Sequence, residues 1–300
     1  MSTSPPPPQH SPSSKLITFP RLPTSNRLFP PRVSLLTPVD SIPDFITEEE
    51  EEYLIRKIGQ SPQPKWKTVG TGRRLQYWGG TMSKTGVLLP ESLPDFLTKF
   101  PDIISRIEKF LQHALPDGPR LDINQVLVNE YNPGQGIAPH EDGPAFQPLV
   151  ATISLGSHTV LDLHHYISST SPSPPMIATV SSTDNDSGNS ARPVAAVPLA
   201  HLLLLPRSLL ILSSSLYTSH LHAIAAKTQD SVKAGGADDG DVVAVANAEL
   251  LGDPAVMESL RDGGVWVKER GVRTSLTFRH AQKVIKGGAL GKVMGNMRRS

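Results

Sequence analysis

The chain has 300 residues, a formal net charge of +1 and no cysteine. That length allows one large domain of about 200–250 residues, and the near-zero charge supplies no global field for nucleic acid. The missing thiols exclude disulfides, zinc–thiolate sites and cysteine nucleophiles.

Residues 1–36 are rich in Pro and Ser and are predicted to be a disordered tail. The opening MSTSPPPPQH lacks the apolar core of a signal peptide, so none is expected. No stretch reaches the ~18–20 apolar residues of a membrane span, so no membrane partner is expected. Order should begin near residue 40. Thr47 can cap a helix, with Glu50 at the capping-box position. The acidic run Glu48 to Glu52 then lies at the positive end of the helix dipole, while Tyr53, Leu54 and Ile58 form a buried face. A second helix is predicted from Pro94 to about His113, on the spacing of Phe96, Phe100, Ile103, Ile104, Ile107 and Leu111.

From Leu121 the pattern changes to short strand-like runs: 123–131, 150–155, 159–164, 202–205, 209–212, 220–225, 265–269 and 274–279. Short strands separated by turn signals predict a mainly β protein with flanking helices, its core a jelly-roll (double-stranded β-helix) barrel. Two segments interrupt them, 168–191 and 227–264, and both are read as insertions in surface loops. Residues 286–300 read as a basic, flexible tail. The domain is therefore expected over 40–285.

The densest chemistry lies in LVNEYNPGQGIAPHEDGP. His140 and Asp142 stand two apart, so on a strand they share a face. A neutral imidazole and a carboxylate suit Fe(II), and a 2-His-1-carboxylate triad leaves open positions for a 2-oxo acid and O2. The third ligand should come from a later strand. His220 and His222 both qualify, because strand period places them on one face. The far carboxylate of a 2-oxo diacid needs a buried, bidentate, permanently charged donor, which is a task for Arg. Arg273 and Arg279 bracket TSLTF at an even spacing, so both should point into the barrel. Buried arginines are costly unless anions meet them.

The run N-x-Y-x-P-G, then H-x-D, a late His and R-x-S-L-T-x-R resembles the AlkB-like family of Fe(II)/2-oxoglutarate dioxygenases. The stretches PKW, GRRLQYWGG, TISLGSHTVLDL, LHAIA and RGVRTSLTFR look closest to the branch of the sixth AlkB homologue. By position, the resemblance implies His140, Asp142 and His222 as iron ligands, preferring His222 over His220. It implies Asn129, Tyr131, Arg273, Ser275 and Arg279 around 2-oxoglutarate, with Arg279 behind the metal. Ser275 stands where the bacterial founder of the family carries Asn. The implied reaction consumes O2 and 2-oxoglutarate, yields succinate and CO2, and hydroxylates a substrate C–H bond. On an N-methyl group that releases formaldehyde.

The segment 66–80 resembles the family's substrate-recognition lid. Arg73, Arg74, Tyr77 and Trp78 are expected to contact a base and phosphates, and Gly70, Gly72, Gly79 and Gly80 permit a mobile loop. The expected partner is single-stranded nucleic acid carrying a methylated base, since a duplex base must first be flipped out. A protein N-methyl substrate, or a scaffold that keeps the barrel with little catalysis, are the alternatives. A monomer in cytoplasm or nucleus is expected.

Overall fold

The computed structural model describes residues 39–70, 72–114, 118, 120–167, 176–177 and 192–285. The two predicted tails, and nearly all of the 168–191 segment, lie outside them. In chain order the first elements are β1 (Val39–Ile42), α1 (Glu48–Gly59), β2 (Lys67–Val69), β3 (Arg73–Trp78), β4 (Gly80–Met82) and β5 (Leu88–Pro90). There follow α2 (Asp95–Thr98), α3 (Ile103–Ala114), β6 (Gln125–Tyr131), β7 (Ile137–His140), β8 (Leu149–Leu155), β9 (Thr159–His165), β10 (Met176–Ile177) and β11 (Val194–Ala195). The remainder are β12 (Ala200–Leu204), β13 (Leu209–Ser213), α4 (Ser214–Thr218), β14 (His220–Ile224), β15 (Gln229–Ala234), β16 (Val242–Val245), α5 (Pro254–Ser259), β17 (Val265–Glu269) and β18 (Arg273–Arg279).

Two seven-stranded sheets form the body: β1-β13-β8-β18-β6-β3-β2, and β17-β15-β16-β12-β9-β14-β7. All eight strands expected from the sequence are present within a residue or two of their predicted ends. Side chains alternate across each strand, and that alternation sorts the core. On the first sheet Val126, Val128, Ala151, Ile153, Leu276 and Phe278 point outward, onto Leu54, Ile58, Ile103 and Ile107 of the helices. Val150, Leu210, Leu212 and Tyr131 point inward and meet Leu161, Leu163, Leu202 and Ile224 of the second sheet. This mostly β, two-sheet arrangement is the expected jelly roll, with α1, α2 and α3 on the outer face of the first sheet.

Helix α1 starts at the reciprocal capping box of Thr47 and Glu50. Its acidic run does more than answer the dipole. Glu50 is buried and pairs with Arg106 of α3 at 2.5 Å, and Glu51 accepts from Gly156 N at 2.7 Å and from Arg207 at 3.2 Å. The second predicted helix is broken into α2 and α3 at Phe100-Pro101. Proline lacks the amide donor and disfavours helix at the preceding residue, and that outweighed the apolar spacing.

Two other expectations are corrected. Residues 227–264, expected as loop, carry β15, β16 and α5. Val232, Val245, Leu251, Val256 and Leu260 cover Val160 and Leu203 on the outer face of the second sheet. The 66–80 segment is not a free loop. β3 is bonded to β6 over Arg74↔Glu130 to Trp78↔Val126. A Cβ on Gly79 would meet Asn124 O at 2.1 Å, and one on Gly80 would meet Leu89 O at 2.1 Å. These glycines allow close backbone approach, which is a different use from mobility. Among the described residues no helix is long and apolar enough to cross a membrane.

Candidate active site

The inward face of the first sheet is polar at one end. On β18, Arg273, Ser275, Thr277 and Arg279 share that face, opposite Tyr131, Asn129, Leu127 and Gln125 of β6. All four β18 side chains are buried. Across the barrel, His222 of β14 pairs directly with His140 of β7. Their rings stand 4.2 Å apart, and His222 Nε2 lies 3.9 Å from Asp142 Oδ2. The structure therefore brings His140, Asp142 and His222 together from two strands and the loop after β7. His220 stays out of this group, with Nδ1 bonded to Ser215 O at 2.8 Å.

The donor chemistry, two imidazoles and a carboxylate, fits a borderline divalent metal such as Fe(II). His140 Nδ1 is 2.9 Å from Ala138 O. A carbonyl can only accept, so Nδ1 carries the proton and Nε2 keeps its lone pair. Burial, then the neighbouring His222, pushes the His140 imidazole down to about 3, and burial lowers His222 as well. Both rings are thus neutral near pH 7, the form that ligates. Burial alone would raise Asp142, but Arg279 and the two histidines outweigh it and hold the carboxyl below its ordinary value. Arg279 donates to Asp142 Oδ1 at 3.0 Å, leaving Oδ2 toward His222. Among the described residues no group of three or more His, Asp or Glu side chains is placed to hold a metal ion as it stands. His140, Asp142 and His222 are nonetheless neighbours.

Beside them lies a cationic pocket. Arg273 is 4% exposed and donates to Ser154 Oγ at 2.9 Å, while its Nε has no partner. Burial pushes its guanidinium down to about 10, still charged at neutral pH. An orphaned, buried, charged donor is costly unless a ligand meets it. Arg273 lies 5.7 Å from the Tyr131 ring centre. Ser275 sits in register with Asn129 and with Ser154.

The four residues expected to touch substrate are divided by the pleat of β3. Arg73 and Tyr77 share the inward face with Leu75, whose ladder partner is Asn129. Arg74 and Trp78 point the other way, to the helices. Arg74 bonds Glu130 at 2.6 Å and stacks 4.5 Å over Trp66. Trp78 packs edge-on against Phe96, and its indole donates to Gln76 Oε1 at 3.0 Å. Arg74 and Trp78 thus lie on the face of β3 opposite Arg73 and Tyr77.

Three neighbours escaped the sequence reading. Gln125 accepts from Arg279 Nε at 3.0 Å. Ser154 holds Arg273. Tyr217 donates to Gly143 O at 2.7 Å, and burial with the nearby Asp142 raises its phenol. The even spacing of Gln125 from Asn129 and Tyr131 was the available signal for the first. Nothing local marked the other two.

Over residues 39–279 the chain matches the family described as the 2OG-Fe(II) oxygenase superfamily. It is 35% identical over 259 residues to the Danio rerio protein named probable RNA/DNA demethylase ALKBH6, covering 84% of this chain and 89% of that one. It is 25% identical over 246 residues to the Xenopus tropicalis tRNA (carboxymethyluridine(34)-5-O)-methyltransferase alkbh8, covering 79% of this chain and 31% of that protein. Among solved structures, that of OsALKBH1 aligns with a TM-score of 0.46 at 15% identity, covering 83% of this chain and all of the other. The chain belongs to the 2OG-Fe(II) oxygenase superfamily, among its AlkB-like members, and is a dioxygenase using Fe(II), 2-oxoglutarate and O2.

Proposed function

We propose that this enzyme oxidatively removes methyl groups from a methylated base in single-stranded nucleic acid. The observation that carries the reading is the barrel interior that holds His140, Asp142 and His222 and also the buried guanidinium of Arg273, whose Nε has no partner among the described residues. His140 and His222 would hold iron through imidazole nitrogen, and Asp142 through Oδ2. With 2-oxoglutarate and O2, bound Fe(II) supplies the oxidising power to hydroxylate a substrate C–H bond while 2-oxoglutarate becomes succinate and CO2. Arg279 fixes the unused carboxylate oxygen of Asp142, so the ligand keeps one orientation. Arg273 receives the distal carboxylate of 2-oxoglutarate, and Asn129, Tyr131 and Ser275 line the same slot. A hydroxylated N-methyl group then releases formaldehyde, leaving the demethylated base.

Nucleic acid is favoured as substrate by two supports. The relatives are named for RNA/DNA demethylation and tRNA modification. In addition, Tyr77 on the inward face carries Lys67 at 5.4 Å over its ring, placing an aromatic face beside a cation. That pairing suits a base and its phosphate. An unpaired base reaches the site without the cost of flipping from a duplex.

The test is incubation of Fe(II)-loaded protein, 2-oxoglutarate and air with pools of methylated single-stranded RNA, single-stranded DNA and peptides. Formaldehyde equal to succinate is expected from a nucleic-acid pool. Formaldehyde from the peptide pool alone would replace the substrate, and no succinate from any pool would sink the reading.

A further inference from the structure

Arg73 lies on β3, outside the motifs that mark the metal and cosubstrate residues, yet its guanidinium reaches into the cosubstrate pocket. It donates to Asn129 Oδ1 and stands 5.5 Å from the Tyr131 ring centre. Arg273 stands 5.7 Å from the same ring. Two neighbouring carboxylates are spent elsewhere: Glu130 of β6 on Arg74 at 2.6 Å, and Asp142 of the loop after β7 on Arg279 at 3.0 Å. Both guanidiniums thus flank the Tyr131 ring, Arg73 held by the Asn129 amide and Arg273 by the Ser154 hydroxyl, all neutral partners. Cations held only by neutral groups in a buried site are favoured by an anionic ligand.

The bond to Asn129 has a second consequence. An amide side chain can present either its oxygen or its NH2 toward a ligand. A guanidinium only donates, so its partner in Asn129 must be the oxygen. That fixes the flip of the amide and commits the NH2 as the group available to an anion. Asn129 is 6% exposed and sits in register with Leu75 of β3 and Ser275 of β18, between the two strands that carry the arginines. We infer that Arg73 is a cosubstrate-pocket residue, not a contact for the methylated strand: it positions the Asn129 amide and shares with Arg273 the charge that selects a dicarboxylate. This rests on the location of 2-oxoglutarate proposed above.

The experiment is calorimetric titration of 2-oxoglutarate, and of the monocarboxylate 2-oxobutanoate, into the full-length Mn(II)-loaded protein without nucleic acid. Arg73→Ala is expected to weaken 2-oxoglutarate about 10- to 100-fold, the usual loss for a hydrogen bond to a charged group. Binding of 2-oxobutanoate should change much less, so the selectivity ratio narrows. Arg73→Lys should recover part of the loss, since it keeps the charge without the planar fork. In an Asn129→Ala background, Arg73→Ala should cost less than alone, because positioning acts through Asn129. If Arg73→Ala shows no cooperative melting, the near-isosteric Arg73→Gln carries the test, with the same loss expected. Binding of 2-oxoglutarate within twofold of wild type in a folded Arg73 variant would overturn the inference. A raised KM for methylated oligonucleotide in that same variant would return Arg73 to the substrate. Failure of the wild-type protein to bind 2-oxoglutarate would instead break the proposed function.

Discussion

His222 of β14 and His140 of β7 are direct partners in one antiparallel ladder. The proposed metal site therefore depends on strand register, since a slip of one residue would turn an imidazole out of the barrel. Gly136, just before β7, guards this pairing. A Cβ there would meet Ile224 O at 2.2 Å and Ala226 N at 2.9 Å. Gly136→Ala is expected to push β7 off β14 and lower Fe(II) affinity about tenfold or more, with no ligand altered. A metal titration checks it. An unchanged affinity would show that the register tolerates the displacement.

Arg273 is the deepest cation of the pocket. Arg273→Ala should raise the KM for 2-oxoglutarate by about 10- to 100-fold. Arg273→Lys should not restore it, because a single ammonium lacks the bidentate fork. Succinate formation against 2-oxoglutarate concentration reads both variants.

Tyr77 and Trp78 are adjacent but face opposite ways, so their variants should fail differently. Trp78→Ala opens a void against Phe96 and is expected to cost about 3 kcal/mol of stability. Its folded fraction should keep the wild-type KM for 2-oxoglutarate. Tyr77→Ala is expected to change stability by less than about 1 kcal/mol and to raise the KM for the methylated strand. Urea denaturation and steady-state kinetics separate the two.

His201 of β12 joins Asp162 of β9 at 2.7 Å and Asp238 of the 227–264 segment at 3.2 Å. Burial alone would lower its pKa, but the two carboxylates outweigh it and raise it above 6.5. Asp238 also feels Lys233. Because the folded value is raised, the linked stability is full below the unfolded pKa and fades as pH climbs through the folded one. The melting temperature of wild type should drop relative to His201→Gln as pH rises above the unfolded value of 6.5 and through the raised folded one. Parallel pH profiles would remove His201 as the cause.

The strands and the barrel were legible, and two-residue alternation put Arg273 with Arg279, and Asn129 with Tyr131, on defined faces. Alternation alone left His220 and His222 level; the family resemblance preferred His222, and the ladder puts it opposite His140. β3 was hidden because RRLQYW mixes Arg74, which pairs outward, with Gln76, which is fully buried. Its pleat decides which lid residues face the site, and no propensity reports that. The 227–264 segment hid its strands behind small and acidic residues. Its few apolar side chains gain meaning only against Val160 and Leu203. Ser154 and Tyr217 act through partners far along the chain, which local pattern does not carry.

His140, Asp142 and His222 are proposed to hold together the iron that 2-oxoglutarate chelates. Anaerobic addition of Fe(II) and then 2-oxoglutarate, followed by visible spectroscopy, tests it most directly. The charge-transfer absorption of an Fe(II)–2-oxo acid chelate should appear in wild type and in His220→Ala. It should vanish in His140→Ala, Asp142→Ala and His222→Ala. The same band at full strength in folded His222→Ala, or its absence from the wild-type protein, would contradict the account.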